Sequence, residues 1–224
     1  MIKHIHVKEC DSTQDLLKEQ LGLFKDANEI LVSCDNQLKG RGRGIHNWEA
    51  LPGSLCFSLT VQPHPIPSFT AIEMSLLVAR FFEGSVLTLK WPNDIWNRHE
   101  NKCCGILVQN HHGIMIAGIG LNLYSEHHEF GGIYDTHFEF NKNSWSFEIA
   151  NFIQANRYKT DTSLKRDWEA RCGHMGSLVC IEESGQFTEG IFEGLGEHGQ
   201  AMLKTPHGIR HMYNGSLRVL SSGH

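Results

Sequence analysis

The chain lacks several features that would settle its class at once. No apolar run approaches the ~20 residues that a membrane-spanning helix needs. The opening Met1-Ile2-Lys3-His4-Ile5-His6-Val7 alternates like a strand and has no apolar signal-peptide core. A basic excess is also missing: 20 Lys plus Arg stand against 25 Asp plus Glu, a net charge of −5, which argues against a protein built to coat nucleic acid. Neither a membrane nor a nucleic-acid partner is therefore expected. No CxxC occurs, and seven cysteines with Cys103 and Cys104 adjacent make a poor disulfide framework. Free thiols in a reducing cytoplasm are the simpler reading. Histidine is plentiful at 15, but without HExxH or finger spacing. Neighbours such as His111-His112 and His127-His128 face different ways on any regular element, so they read as surface or loop residues rather than metal ligands. There is no internal repeat and no low-complexity linker.

What is present suits a globular protein of 224 residues with 40% hydrophobic and 20% charged side chains. That length fits one sizeable domain, alone or with a small appendage. Residues 30–34 read as a short buried strand, and 54–61 alternate with period two. Between residue 1 and these strands, Asp11 or Ser12 caps a helix whose Leu16, Leu17 and Leu21 face the core and which Gly22 ends. A helix is expected over 70–82 with Gly84 as its stop, then a strand over 86–90 that closes at Trp91-Pro92. Residues 105–109 and 113–121 form a hairpin turned at His111-His112, and helices follow over 144–158 and 162–172. Near Gly173 the texture changes to short strands punctuated by turns such as Glu183-Ser184-Gly185-Gln186 and Glu197-His198-Gly199-Gln200. Such spacing predicts a small β-barrel. A mixed α/β unit over 1–173 is thus followed by an all-β unit over 174–224.

Four stretches carry chemistry. Lys39-Gly40-Arg41-Gly42-Arg43-Gly44-Ile45-His46-Asn47-Trp48 alternates glycine, which lets backbone approach a ligand, with guanidinium forks suited to carboxylate or phosphate. It is not a Walker A loop. On composition it fits an anion site, a solvated basic loop or a contact to nucleic-acid backbone. Lys90-Trp91-Pro92-Asn93-Asp94 is a turn after a strand, a common structural device; it also groups polar residues at a strand end, where open α/β sheets bind ligands. Lys102 precedes the Gly105-Ile106-Leu107-Val108 strand and stands ready to hold an anion or simply to be solvated. Gly118-Ile119-Gly120-Leu121-Asn122 puts glycines inside an apolar strand, which implies close approach by a ligand or another backbone.

In their order and spacing, Asp11-Ser12-Thr13-Gln14, Gln37 ahead of the Gly-Arg loop and Trp48, Lys90-Trp91-Pro92-Asn93-Asp94, Lys102 with Gly105-Ile106-Leu107, and Gly118-Ile119-Gly120-Leu121-Asn122 resemble the biotin protein ligase family. The β-rich tail, with Gly215-Ser216-Leu217-Arg218, extends the resemblance to about residue 220. It implies an α+β fold: a mixed sheet with helices, related to class II aminoacyl-tRNA synthetases, followed by an SH3-like barrel. It also implies a reaction. Biotin and MgATP give biotinyl-5′-AMP and pyrophosphate, and the biotinyl group passes to a lysine of the biotin carboxyl carrier protein of acetyl-CoA carboxylase.

By resemblance, Ser12, Thr13, Gln14 and Gln37 line the biotin site, with Gly105 beside it. Arg41, Gly42 and Arg43 stand on a loop that closes over biotin and the phosphates, and Arg43 and Lys102 are the catalytic cations. Trp48, Asn93, Asp94 and Asn122, with Arg43, contact the nucleotide, and Arg218 is a weaker candidate from the barrel. The magnesium ligands are not identified beyond Asp94. Homodimers occur in the family. Too few residues precede Ser12 for a helix-turn-helix, so a monofunctional ligase without operator binding is expected.

Two residues depart from the family pattern. Gln14 replaces the usual Asn, and His46 stands where a phosphate-contacting arginine is common, which predicts weaker ATP binding. Lipoate or octanoate ligation or transfer on the same scaffold, and a non-catalytic biotin-binding regulator, are the alternatives.

Overall fold

The computed structural model describes residues 2–23, 29–44, 46–126 and 130–221. Its first unit is a seven-stranded mixed sheet in the order β1-β2-β5-β9-β8-β7-β6. Edge strand β1 (Lys3–Cys10) leads into α1 (Thr13–Leu21), which returns to a parallel neighbour, β2 (Ile30–Gln37). A two-stranded ribbon of β3 (Gly40–Arg41) and β4 (Asn47–Trp48) stands off the sheet. It is followed by β5 (Ser54–Val61) and α2 (Phe69–Phe81), then the hairpin of β6 (Thr88–Lys90) and β7 (Asp94–Trp96). A longer hairpin, β8 (Lys102–His111) and β9 (Ile114–Asn122), completes the sheet, with His112 and Gly113 at positive φ in its turn. Helices α3 (Lys142–Ala155) and α4 (Asp161–Glu169) follow.

Local chemistry explains the boundaries. Ser12 caps α1, its hydroxyl accepting from Asp15 N, and Gly22 follows the last turn. Helix α2 stops at Phe82, two residues short of the expected Gly84. The strand expected from Val86 begins at Thr88, leaving Val86 exposed. The His127-His128 pair lies outside the described residues.

The alternation in 54–61 does not divide that strand into an inner and an outer face: all eight residues are buried. Strand β5 pairs with β2 and β9, and helices cover both faces. Leu17 of α1 joins Ile30, Val32 and Ile116 on one side, while Leu55, Phe57, Leu59 and Val61 join α2 and α3 in the main core on the other. The polar positions are satisfied instead of solvated. Ser54 Oγ donates to Asn122 Oδ1 at 2.7 Å, and Thr60 Oγ1 accepts from Ile30 N at 2.8 Å.

The second unit is a five-stranded antiparallel sheet in the order β13-β12-β11-β10-β14. Its strands are β10 (Leu178–Glu183), β11 (Gln186–Leu195), β12 (Ala201–Thr205), β13 (Gly208–Met212) and β14 (Ser216–Ser221). The change in texture at Gly173 does not interrupt the core: Val179, Ile181, Phe192 and Leu203 belong to the same apolar cluster as Phe57 and Trp91. Hydrogen bonds also tie the sheets together. Trp91 Nε1 donates to Gly199 O at 3.0 Å, Gly173 N to Leu89 O at 3.1 Å, and Leu195 N to Glu169 Oε1 at 2.8 Å. The second sheet is thereby held against the β6 end of the first sheet and against α4.

Candidate functional site

A cavity of about 280 Å³ lies between the start of α1, the β3–β4 ribbon, the β6–β7 turn, strands β8 and β9, and the turn before β14. One end is neutral. Thr13 donates to Gln37 Oε1 from both its backbone N (2.9 Å) and Oγ1 (3.1 Å), and that hydroxyl also meets Ser58 Oγ at 2.9 Å. Gln14 donates to Leu107 O at 2.8 Å, and its side chain lies against Gly118, where a Cβ would come within 2.9 Å of Cδ. The extra methylene of Gln14 relative to Asn is thus accommodated above a glycine.

Close approach to the glycines of β9 was expected from a ligand or a backbone. Side chains make it: Gln14 covers Gly118, and the Trp48 indole covers Gly120 so closely that a Cβ there would collide with it. The Trp48 ring also lies against Gly105, next to the Lys102 stem.

The other end is cationic. The segment from Gly40 to Trp48 is a small hairpin in which Gly42 N donates to His46 O at 2.8 Å and His46 N to Arg43 O at 3.1 Å. Gly44 sits at φ 59°, a conformation that disfavours side-chain-bearing residues, and so lets the turn close. This hairpin aims Arg43 inward. Its Nη1 donates to Asn93 Oδ1 at 3.3 Å and to Gly215 O at 3.2 Å, both neutral acceptors. Burial pushes the pKa of this guanidinium down, with Asp94 opposing. Asn93 is itself oriented by donating to Ile106 O. Lys102 Nζ pairs with Asp94 Oδ1 at 2.8 Å. Arg41 turns to Asp15 of α1, 2.7 Å away, and so ties the hairpin to the helix.

The fold therefore brings Ser12, Thr13, Gln14, Gln37, Arg41, Gly42, Arg43, Trp48, Asn93, Asp94, Lys102 and Gly105 to one cavity. Asn122 is not in it. It lines a neighbouring cavity of about 630 Å³ with Lys39, Glu49 and Phe130, across Trp48 and Lys102. There its Oδ1 accepts from Ser54 and its Nδ2 donates to Gly131 O at 3.3 Å. Arg218 also lies outside the main cavity; Gly215, Ser216 and Leu217 supply the wall from the second sheet. Ser58, Asn47 and Leu107 also line the cavity without having been expected there, and Lys90 joins it from a strand-end turn that gave it no particular role. Lys90 had a signal in its turn motif, whereas Ser58 looked like any polar position on an alternating strand.

A family model for biotin/lipoate A/B protein ligases matches residues 7–123, just over half of the chain and nearly all of the cavity wall. The chain belongs to this ligase family. The bifunctional ligase/repressor BirA of Bacillus spizizenii is 24% identical to it over 98% of this chain and 75% of its own length. Among solved structures, a biotin protein ligase from Aquifex aeolicus in complex with biotin and ATP superposes with a TM-score of 0.79 at 26% identity, covering 97% of this chain and 99% of that one. The biotin acetyl coenzyme A carboxylase synthetase from Helicobacter pylori, with bound biotinylated ATP, superposes with a TM-score of 0.75 at 23% identity, covering 94% and 100%. The fold is that of the biotin protein ligases. Among the described residues, no helix is long and apolar enough to cross a membrane.

Proposed function

We propose that this ligase-family chain is an ATP-dependent, AMP-forming biotin protein ligase that modifies a lysine of a biotin carboxyl carrier protein. The observation that carries the reading is a single cavity with a neutral hydrogen-bonding end joined to a cationic one. The neutral end, Ser12, Thr13, Gln14 and Gln37 with Ser58, suits a compact uncharged ring system. Arg43 and Lys102 suit the carboxylate of the same molecule and the α-phosphate it must reach. Trp48 and Asn122 flank the second cavity and suit the adenosine.

Bringing a carboxylate to a phosphate sets like charges together, and cations in a partly water-excluded cavity offset that repulsion. In the first step a carboxylate oxygen of biotin forms a bond to the α-phosphorus and the bond to the β-phosphate oxygen breaks, so pyrophosphate leaves. No general base is needed because the nucleophile is already an anion; positioning dominates. In the second step the carrier's neutral lysine amine attacks the acyl carbon, AMP leaves, and the amine's extra proton is lost to solvent. The Gly-Arg hairpin, held by Arg41 to Asp15 and by Arg43 to Asn93 and Gly215, shields the mixed anhydride from water.

Magnesium fits as a companion of the phosphates. Asp94 is the carboxylate of the cavity wall, and no cluster of three or more His, Cys, Asp or Glu suited to a metal occurs among the described residues. One carboxylate plus phosphate oxygens is a usual magnesium environment. We take residues 1–173 as the ligase unit, 174–224 as an appended β unit, and the cytoplasm as the working compartment.

The test incubates purified protein with MgATP, a carrier domain and either biotin or lipoate, and follows the carrier by mass spectrometry. A gain of one biotinyl group is expected. A lipoyl gain alone moves the chain to the other branch of its family, and biotin binding without transfer makes it a non-catalytic binder.

A further inference from the structure

Lys90 is a cavity residue with no assigned role. It ends β6, directly across the hairpin from Asp94 in register, and its ammonium lies 4.3 Å from the centroid of the Trp96 ring. Asp94, its natural partner, is committed to Lys102 at 2.8 Å. Among the described residues, no carboxylate lies within ion-pair distance of Lys90, and its Nζ makes no hydrogen bond. Arg43 gives its hydrogen bonds to the neutral oxygens of Asn93 and Gly215. Three cations, Arg43, Lys90 and Lys102, thus face one carboxylate, and Arg218 adds like charge at Lys90. Buried His174 is held neutral nearby, its pKa down at about 3, so it adds no charge.

A partly buried lysine of this kind usually pairs or loses its proton. Burial indeed pushes the pKa of Lys90 down, with Lys102 and Arg218 adding to the effect and Asp94 opposing it. A face of tryptophan compensates an ammonium only in part. Once the carboxylate has become the acyl group of the adenylate, Asp94 and the single remaining phosphate charge answer two of the three cations, Lys102 and Arg43, which leaves the charge of Lys90 without a counterpart there.

We propose that Lys90 holds the β- and γ-phosphates of the nucleotide, and then the pyrophosphate that leaves, within the adenylate-forming reaction proposed above. It is a substrate-binding residue with three ammonium donors for phosphate oxygens.

The test compares wild type with Lys90→Met, which keeps an unbranched stem over Trp96, and Lys90→Arg, which keeps the charge. Binding of inorganic pyrophosphate is measured by calorimetry without biotin or ATP. Adenylate formation is measured with ATP varied, and carrier modification is measured from preformed biotinyl-5′-AMP. Lys90→Met is expected to weaken pyrophosphate binding and raise the KM for ATP by roughly 10–100-fold. It should leave transfer from preformed adenylate unchanged, since that substrate has no β- or γ-phosphate, and Lys90→Arg should restore most of the loss. Wild-type pyrophosphate affinity in Lys90→Met overturns the proposal, and so does an equal loss with preformed adenylate. Pyrophosphate binding that depends on Lys90, in a wild-type protein that makes no adenylate, supports the phosphate site and overturns the ligase reading instead.

Discussion

At one end of the cavity, the hydroxyls and amides of Thr13, Ser58, Gln37 and Gln14 bond to one another or to Leu107 O before any ligand arrives. At the other, Arg43, Lys90 and Lys102 share a single carboxylate, and Lys102 has taken it. The neutral end belongs to the folded protein's own hydrogen-bond inventory, so its geometry is fixed by stability. The charged end is held against electrostatic preference by the strands around it and is completed by what binds. Substitutions at the first end should therefore act on folding and affinity together, whereas those at the second should act on the reaction.

The largest effect should come from the charged end. Lys102→Ala is expected to slow adenylate formation by about 10²–10³-fold at saturating biotin and ATP, the usual loss when a donor to developing charge is removed. Pyrophosphate release measures it, and a change confined to KM would show that Lys102 serves binding alone.

A second effect tests what lies beneath those cations. His174 is fully buried against Phe192, with its pKa lowered to about 3, first by burial and then by the charge of Lys90. Its folded pKa is below the ordinary imidazole value of 6.5, so the unfolded chain binds the extra proton more readily. The contribution to stability is complete above pH 6.5 and is lost as pH falls from there towards 3. The expected loss is about 2 kcal/mol between pH 8 and pH 5. Urea unfolding at the two pH values checks this. His4, lowered to about 4 by burial and by His6, contributes in the same sense, so His174→Phe should flatten the profile without abolishing it.

At the neutral end, Thr13→Val removes the partner of buried Ser58 Oγ. It should cost about 1–3 kcal/mol of stability and weaken biotin binding roughly tenfold, with the KM for ATP unchanged. A normal melting temperature would mean that the neutral end is not part of the fold's own hydrogen bonding. The smallest effect is expected at His46, which is exposed at the rim of the cavity. Substituting His46→Arg should lower the KM for ATP by roughly 2–5-fold and leave biotin affinity alone, as a solvent-exposed charge is well screened. Steady-state titration of both substrates decides it.

Much of this was readable from the residues. The capped start of α1, the β8–β9 hairpin, the helix that begins near residue 70 and the return to β-structure after Gly173 follow from capping, periodicity and turn chemistry, all local properties. Most of the cavity wall was also legible, because glycine, arginine, lysine and the Pro-Asn-Asp turn are conspicuous between apolar strands. Ser58 was not, since a serine on an alternating strand looks solvent-facing until both faces of β5 are covered. Asn122, expected to meet the nucleotide, lines the neighbouring cavity and Arg218 lines neither, a division not legible in the residues because motif order along a chain does not say on which side of Trp48 a residue will fall.

The sequence by itself determined the elements, the glycines that let Trp48 and Gln14 lie against β9, and the chemical types gathered for the site. Only the tertiary structure decided how charge is shared there. It gave Asp94 to Lys102, gave Arg43 the neutral oxygens of Asn93 and Gly215, and left Lys90 over an indole. Ion pairing depends on distances of a few ångströms between segments far apart in the chain, and packing alone sets those distances.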